Sequence, residues 1–141
     1  HLSKKDGETK KNANIAFEIE ALMAKIPRRS QIILFIDLFQ ENLEKILDAA
    51  ALLAFEGHSV RCTFMSHAEL ELNEEYFAGK QVIDIETGTK AYINQNDAKR
   101  YVSFVEAQKE WAITLSRNLN LNCKILDASR EPMYLLRELL A

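Results

Sequence analysis

From Asn12 onward Ile15, Ile19, Leu22, Met23 and Ile26 recur at three- or four-residue intervals, a spacing that puts them on one face of a helix. Pro27 lacks the amide that the next turn would use, so the helix is expected to stop before it. Gln31 to Leu38 then contains Ile-Ile-Leu-Phe-Ile without alternation. A run that is apolar on both faces predicts a central strand in a parallel sheet. Leu43, Ile46, Leu47, Ala50 and Leu53 or Ala54 return to helical spacing, and Gly57 stands where a left-handed C-terminal cap is needed. Ser59 to Met65, rich in branched and aromatic residues, completes a strand-helix-strand unit.

The pattern changes between Ser66 and Asn96. Glutamates come first, then Val82, Ile83 and Ile85, a Thr87-Gly88 turn, and Ala91, Tyr92 and Ile93, which together predict an inserted β-hairpin. A long helix is expected from about Asn96 to Asn118, capped by Asn96 or Asp97, with Tyr101, Phe104, Val105, Gln108, Trp111, Ala112 and Leu115 as its buried stripe. Asn122 to Leu126 reads as a third strand. Asp127 and Ser129 offer capping oxygens, Pro132 suits a first helical turn, and Met133, Leu136 and Leu140 give a last helix its apolar face. The predicted fold is α/β and Rossmann-like, with about three parallel strands flanked by helices plus the hairpin. Residues 1–11 are expected to be a disordered or frayed lead, and 12–141 a single domain without repeats or an internal linker.

Composition narrows the function. At 141 residues and 48% hydrophobic content, one sizeable core can be buried. Lys and Arg total 18 against 21 acidic residues, and the net charge of −3 gives no electrostatic reason to expect nucleic acid or anionic membrane as partner. The basic residues Lys4, Lys5, Lys10, Lys11, Lys25, Arg28 and Arg29 gather in the first thirty positions, either as a solvated face or as a docking surface. Cys62 and Cys123 lie in apolar runs, where free thiols pack as small hydrophobes, in keeping with a reducing cytoplasm. No apolar run approaches the roughly 20 residues of a membrane-spanning helix. The chain begins on His1 with a polar, lysine-rich segment that lacks a signal-peptide hydrophobic region, and it is expected to be a piece of a longer protein.

Candidate chemistry collects where parallel strands end, since ligands bind outside the carboxyl ends of such strands. That rim would hold Asp37, then Ser66 and His67, then Asp127 and Ser129. Asp37 is either a ligand for a hard cation or partner, or a residue that caps the next helix or fixes its own loop. Ser66 and His67 are adjacent but lack a third orienting group, and a solvated loop is the simpler reading. His58, after Gly57, is expected to serve the turn. Asp84 and Glu86, two apart on an expected strand, would share a face and could pair for acid-base work, although exposed hairpin charges are commoner. Glu69, Glu71, Glu74 and Glu75 read as a soluble loop or an acidic docking patch. Gly7, Gly57, Gly79 and Gly88 form no phosphate-binding loop.

The ordered series Ile36-Asp37-Leu38-Phe39, Glu56-Gly57-His58-Ser59-Val60 and Asp84-Ile85-Glu86-Thr87-Gly88, with Tyr101 in the following helix, resembles a bacterial von Willebrand factor A-like family, domain-of-unknown-function family fifty-eight, over residues 12–141. The resemblance implies a six-stranded, mainly parallel sheet of which this chain supplies the last three strands. It also implies a MoxR-type AAA+ ATPase as partner, and a cytoplasmic location, free or as the cytoplasmic part of a membrane-anchored protein. The family's Mg-binding adhesion site uses an Asp-x-Ser-x-Ser loop that this sequence lacks. Only Asp37 matches that site, so the metal site is incomplete in this chain. The expected function is that of a non-catalytic protein-interaction domain, and the alternative is a metal-dependent or phosphate-handling enzyme using Asp37 and Asp127. The strand at 31–38, without its implied neighbour, is expected to pair with its copy in a homodimer.

Overall fold

The computed structural model describes residues 15–141. The expected lead at 1–11, and the helix start at 12–14, lie outside the described residues. The helices and strands follow one another as α1 (Ile15–Met23), β1 (Gln31–Asp37), α2 (Leu43–Phe55), β2 (Ser59–Ser66), α3 (Ala68–Glu71), α4 (Glu74–Phe77), β3 (Gln81–Ile83), β4 (Lys90–Tyr92), α5 (Gln95–Asn118), β5 (Asn122–Asp127) and α6 (Pro132–Leu140). β1, β2 and β5 form a parallel sheet in the order β1-β2-β5, and β3 and β4 form a separate antiparallel hairpin. This is the Rossmann-like α/β arrangement expected, with three parallel strands and a hairpin insertion.

The central strand is β2, not β1. Cys62, Thr63 and Phe64 in β2 are fully buried, whereas Ile33 and Phe35 in β1 stay 39% and 60% exposed. The apolar run at 31–38 was expected to be central because both of its faces carry apolar side chains. Side-chain pattern reports what lies above and below a strand, but the neighbours along the hydrogen-bonding direction leave no mark on it.

One face of the sheet carries the core. Ile32, Leu34 and Ile36 of β1, Val60, Cys62 and Phe64 of β2, and Cys123 and Ile125 of β5 alternate onto it. There they meet Leu43, Ile46, Leu47, Ala50 and Leu53 of α2, Ile19 of α1 and Ala112 of α5. Burial, helped by the neighbouring Cys123, pushes the Cys62 thiol up to about 12, and both cysteines are free. The opposite face presents Ile33 and Phe35, then Thr63 and Met65, then Lys124 and Leu126. α6 packs against β5, and Lys124 Nζ donates to the carbonyl of Glu138 at its end.

The two helices that feed the parallel strands end alike. Gly57 (φ +92°) donates to Ala54 O and His58 to Leu53 O after α2; Asn120 (φ +54°) donates to Arg117 O and Leu121 to Ser116 O after α5. These are Schellman caps, in which a left-handed residue lets two otherwise unpaired carbonyls be satisfied. Each is followed within two residues by a strand, so the cap sets where β2 and β5 begin.

Two helix readings need correction. α5 is capped by Asn94, whose side chain accepts from Asp97 N while Asp97 reaches back to Asn94 N. Its buried line is Ala98, Val102, Val105, Ala112 and Ser116, and Tyr101, Phe104 and Trp111 remain 37 to 56% exposed. The large aromatics flank the stripe because the close approach to neighbouring elements is made by small residues. In α6, Met133, Leu136 and Leu140 are exposed, whereas Leu135 and Leu139 are half-buried. Its cap is Glu131, without a side-chain hydrogen bond, so Asp127 and Ser129 do not cap the helix. No helix among the described residues is long and apolar enough to cross a membrane.

Candidate functional site at the carboxyl end of the sheet

The parallel strands deliver Asp37, Ser66 and Asp127 to one edge of the sheet. Asp37 ends β1 opposite Met65, and Ser66 ends β2 opposite Asp127. A pocket of about 290 Å³ opens there, lined by Phe35, Ile36, Asp37, Met65, Ser66, His67, Glu71 and Ala128. Three of the five expected rim residues, Asp37, Ser66 and His67, therefore share a cavity. Asp127 and Ser129 lie beside it and do not line it.

All but one of the polar side chains at the rim have a local partner. Asp37 Oδ1 accepts the amide of Phe39 at 2.8 Å, and its carbonyl accepts Gln40 N at 3.1 Å, which turns the chain out of β1. Asp127 Oδ1 accepts from Ser129 Oγ at 2.7 Å, Ser129 N at 3.1 Å and Ala68 N at 3.1 Å, and Arg130 Nε lies 4.0 Å from Oδ2. The Ser129 hydroxyl, more than the backbone amides and Arg130, holds the Asp127 carboxyl below its ordinary range. Ser66 is nearly buried and donates to Glu71 Oε2 at 2.8 Å. His67 Nδ1 is buried without a hydrogen-bond partner.

Glu71 is the residue that the sequence reading misplaced. In a run of four glutamates it read as solvated, but α3 turns it back beneath Ser66, into the pocket. A separation of five residues across a strand end and one helical turn was the available signal. Its charge is also felt by Tyr101, whose hydroxyl is pushed up first by burial and second by Glu71. The aromatics of α5 brace this end. Phe104 stacks on Phe39 with ring centres 5.6 Å apart, Tyr101 meets Phe77 edge-on at 4.9 Å, and Gln108 Nε2 donates to Leu38 O.

Asp84 and Glu86 do not share a strand face. β3 ends at Ile83, and Asp84 Oδ1 accepts from Glu86 N and Thr87 N, closing the hairpin turn. Those two amides, Thr87 first, hold the Asp84 carboxyl below its ordinary range. His58 has the structural place expected of it: its Nδ1 accepts the amide of Ser30, tying the start of β1 to the start of β2.

Ser66 donates directly to a carboxylate while the neighbouring His67 Nδ1 is unpartnered, so hydroxyl, imidazole and carboxylate are not linked in series as in a nucleophile-base-orienter triad. Among the described residues no three His, Cys, Asp or Glu side chains converge to hold a metal ion. The Mg that the resemblance implies belongs to a complete domain, of whose ligands only Asp37 is matched here; Asp37 Oδ1 already accepts the amide of Phe39, and Asp127 Oδ1 carries three donors. Comparison with protein families, with curated proteins and with solved structures gave no match.

Proposed function

We propose that the chain is a protein-interaction module of von Willebrand A-like kind and performs no chemistry of its own. The observation that carries this reading is a contrast between the rim and the outer strand. The rim carboxylates are engaged in shaping their own loops, whereas among the described residues β1 has a strand neighbour on one side only and turns Ile33 and Phe35 away from the core. An unprotected strand edge beside exposed apolar side chains is a surface for another chain. A MoxR-type AAA+ ATPase is the partner that the resemblance suggests.

The test is turnover. Nucleoside triphosphates and a general phosphoester substrate, each with Mg²⁺ or Mn²⁺, should be hydrolysed no faster with the protein than without it. Hydrolysis that Asp37→Ala abolishes would replace the interaction reading with the second one, a metal-dependent or phosphate-handling enzyme. That second reading draws its support from the pocket that gathers Asp37, Ser66, His67 and Glu71, and it is weakened by the position of Asp127 outside that pocket.

A further inference from the structure

We propose that the partner accepted by the β1 edge is a second copy of this chain, paired antiparallel to the first about a two-fold axis through Leu34. The inference rests on the interaction reading and names its occupant.

The direction of the backbone groups gives the first argument. Ser59 N donates to Ser30 O at 2.9 Å, so in this parallel ladder the even-numbered peptide groups of β1 point toward β2. The amides and carbonyls of Gln31, Ile33 and Phe35 therefore point outward. A two-fold through Leu34 sets Ile33 opposite the partner's Phe35 and Phe35 opposite the partner's Ile33. Both members of each pair present outward groups, as a hydrogen-bonded antiparallel pair requires, while Leu34 meets its own copy as the intervening non-bonded pair. Ile32 falls opposite Ile36 on the core face. The sequence Gln-Ile-Ile-Leu-Phe-Ile-Asp is thus near-palindromic in polarity about its centre, and its side chains stay on matching faces when it pairs with itself.

Charge gives the second. Arg28 and Arg29 precede the strand, and Asp37 and Glu41 end or follow it, all four exposed. Antiparallel self-pairing brings the basic end of one copy to the acidic end of the other at both ends of the interface, whereas parallel pairing would set like against like. The strand also lacks the devices that keep edges apart. Gln31–Asp37 has no lysine, no proline and no charge before its last residue. The product would be one six-stranded sheet made of two three-stranded halves, with Ile33 and Phe35 of both copies forming an apolar patch on the face away from the core.

Sedimentation velocity of the 141-residue chain over a concentration series, combined with residue-level hydrogen exchange, tests this. The expected result is concentration-dependent growth to twice the 16.2 kDa chain mass. Ile33→Glu and Phe35→Lys should each weaken association by about tenfold or more, since each sets a charge against an apolar side chain. The double variant Ile33→Glu/Phe35→Lys should recover much of the loss, because the new glutamate and lysine face each other twice across this axis. Near-ultraviolet dichroism of Trp111 checks that each variant is folded. A dimer indifferent to the single variants, or a double variant no better than either, overturns the proposed pairing. A monomer whose Ile33 and Phe35 amides exchange fast overturns the second copy as occupant and leaves the edge free for a different partner. A monomer with those amides protected overturns the interaction reading as well.

Discussion

Asp127 and Ala68 are joined across 59 residues of sequence: the Asp127 carboxylate at the end of β5 accepts the backbone amide that opens α3 after β2, at 3.1 Å. The reverse lacing is made by Ala128 N, which donates to Ser66 O at 2.6 Å. Two strand ends are thereby sewn together at the rim, and one carboxylate organises both outgoing loops.

Asp127→Ala is therefore expected to destabilise the fold by about 1 to 2 kcal/mol, because two backbone amides lose a charged acceptor in a half-buried place. Asp127→Asn should cost less. The pH dependence has a definite sign. The folded carboxyl titrates below its ordinary 3.8, so its contribution is complete above that pH and is lost as pH falls through the lower, folded value. Urea melts at neutral and acid pH should show the gap between wild type and Asp127→Asn closing only on the acid side. A constant gap would mean that the carboxylate is not the acceptor.

Thr63 gives a prediction of the opposite sign. It is fully buried at the middle of β2, and its hydroxyl has no hydrogen-bond partner. Replacing that hydroxyl with a methyl group removes an unsatisfied polar atom at nearly constant shape, so Thr63→Val should stabilise by about 1 kcal/mol. Thermal melts of dilute protein measure it, and a loss of stability would show that the hydroxyl is in fact bonded.

At Gly57 the backbone alone sets the cost. A Cβ added there meets nothing within 4 Å, but φ is +92°. Gly57→Ala should lose about 1 kcal/mol from the left-handed conformation. Equal stability of the two proteins in urea would mean that the α2 cap is made another way.

Much of this architecture is legible in the sequence, because it follows from local rules. Gly57 announced the end of α2, Pro132 the start of α6, and the apolar runs the three parallel strands. What escaped depends on partners distant in the chain. The half-buried place of Glu71 is decided by Ser66 and by the pocket wall from β1, neither of which can be read from the run of glutamates in which it stands. Leu136 and Leu140 have helical spacing, yet α6 packs chiefly on β5, and it is Leu135 and Leu139 that turn inward. The position of β1 at the edge of the described strands follows from the strand order, to which its own apolar pattern is silent; only the family resemblance implied a missing neighbour there. At the rim, the sequence named Asp37, Ser66 and His67 together, and the structure joins them in one cavity; it did not show that Asp127 would be occupied by Ser129 and Ala68.

The central claim is that the rim shapes loops for a binding module and is not a metal-dependent active site. Its most direct test is the thermal unfolding of wild type and Asp37→Ala across a Mg²⁺ and Mn²⁺ titration. The account predicts that neither protein's Tm moves with metal beyond the general effect of added salt. A metal-dependent rise in the wild type that Asp37→Ala removes would contradict it.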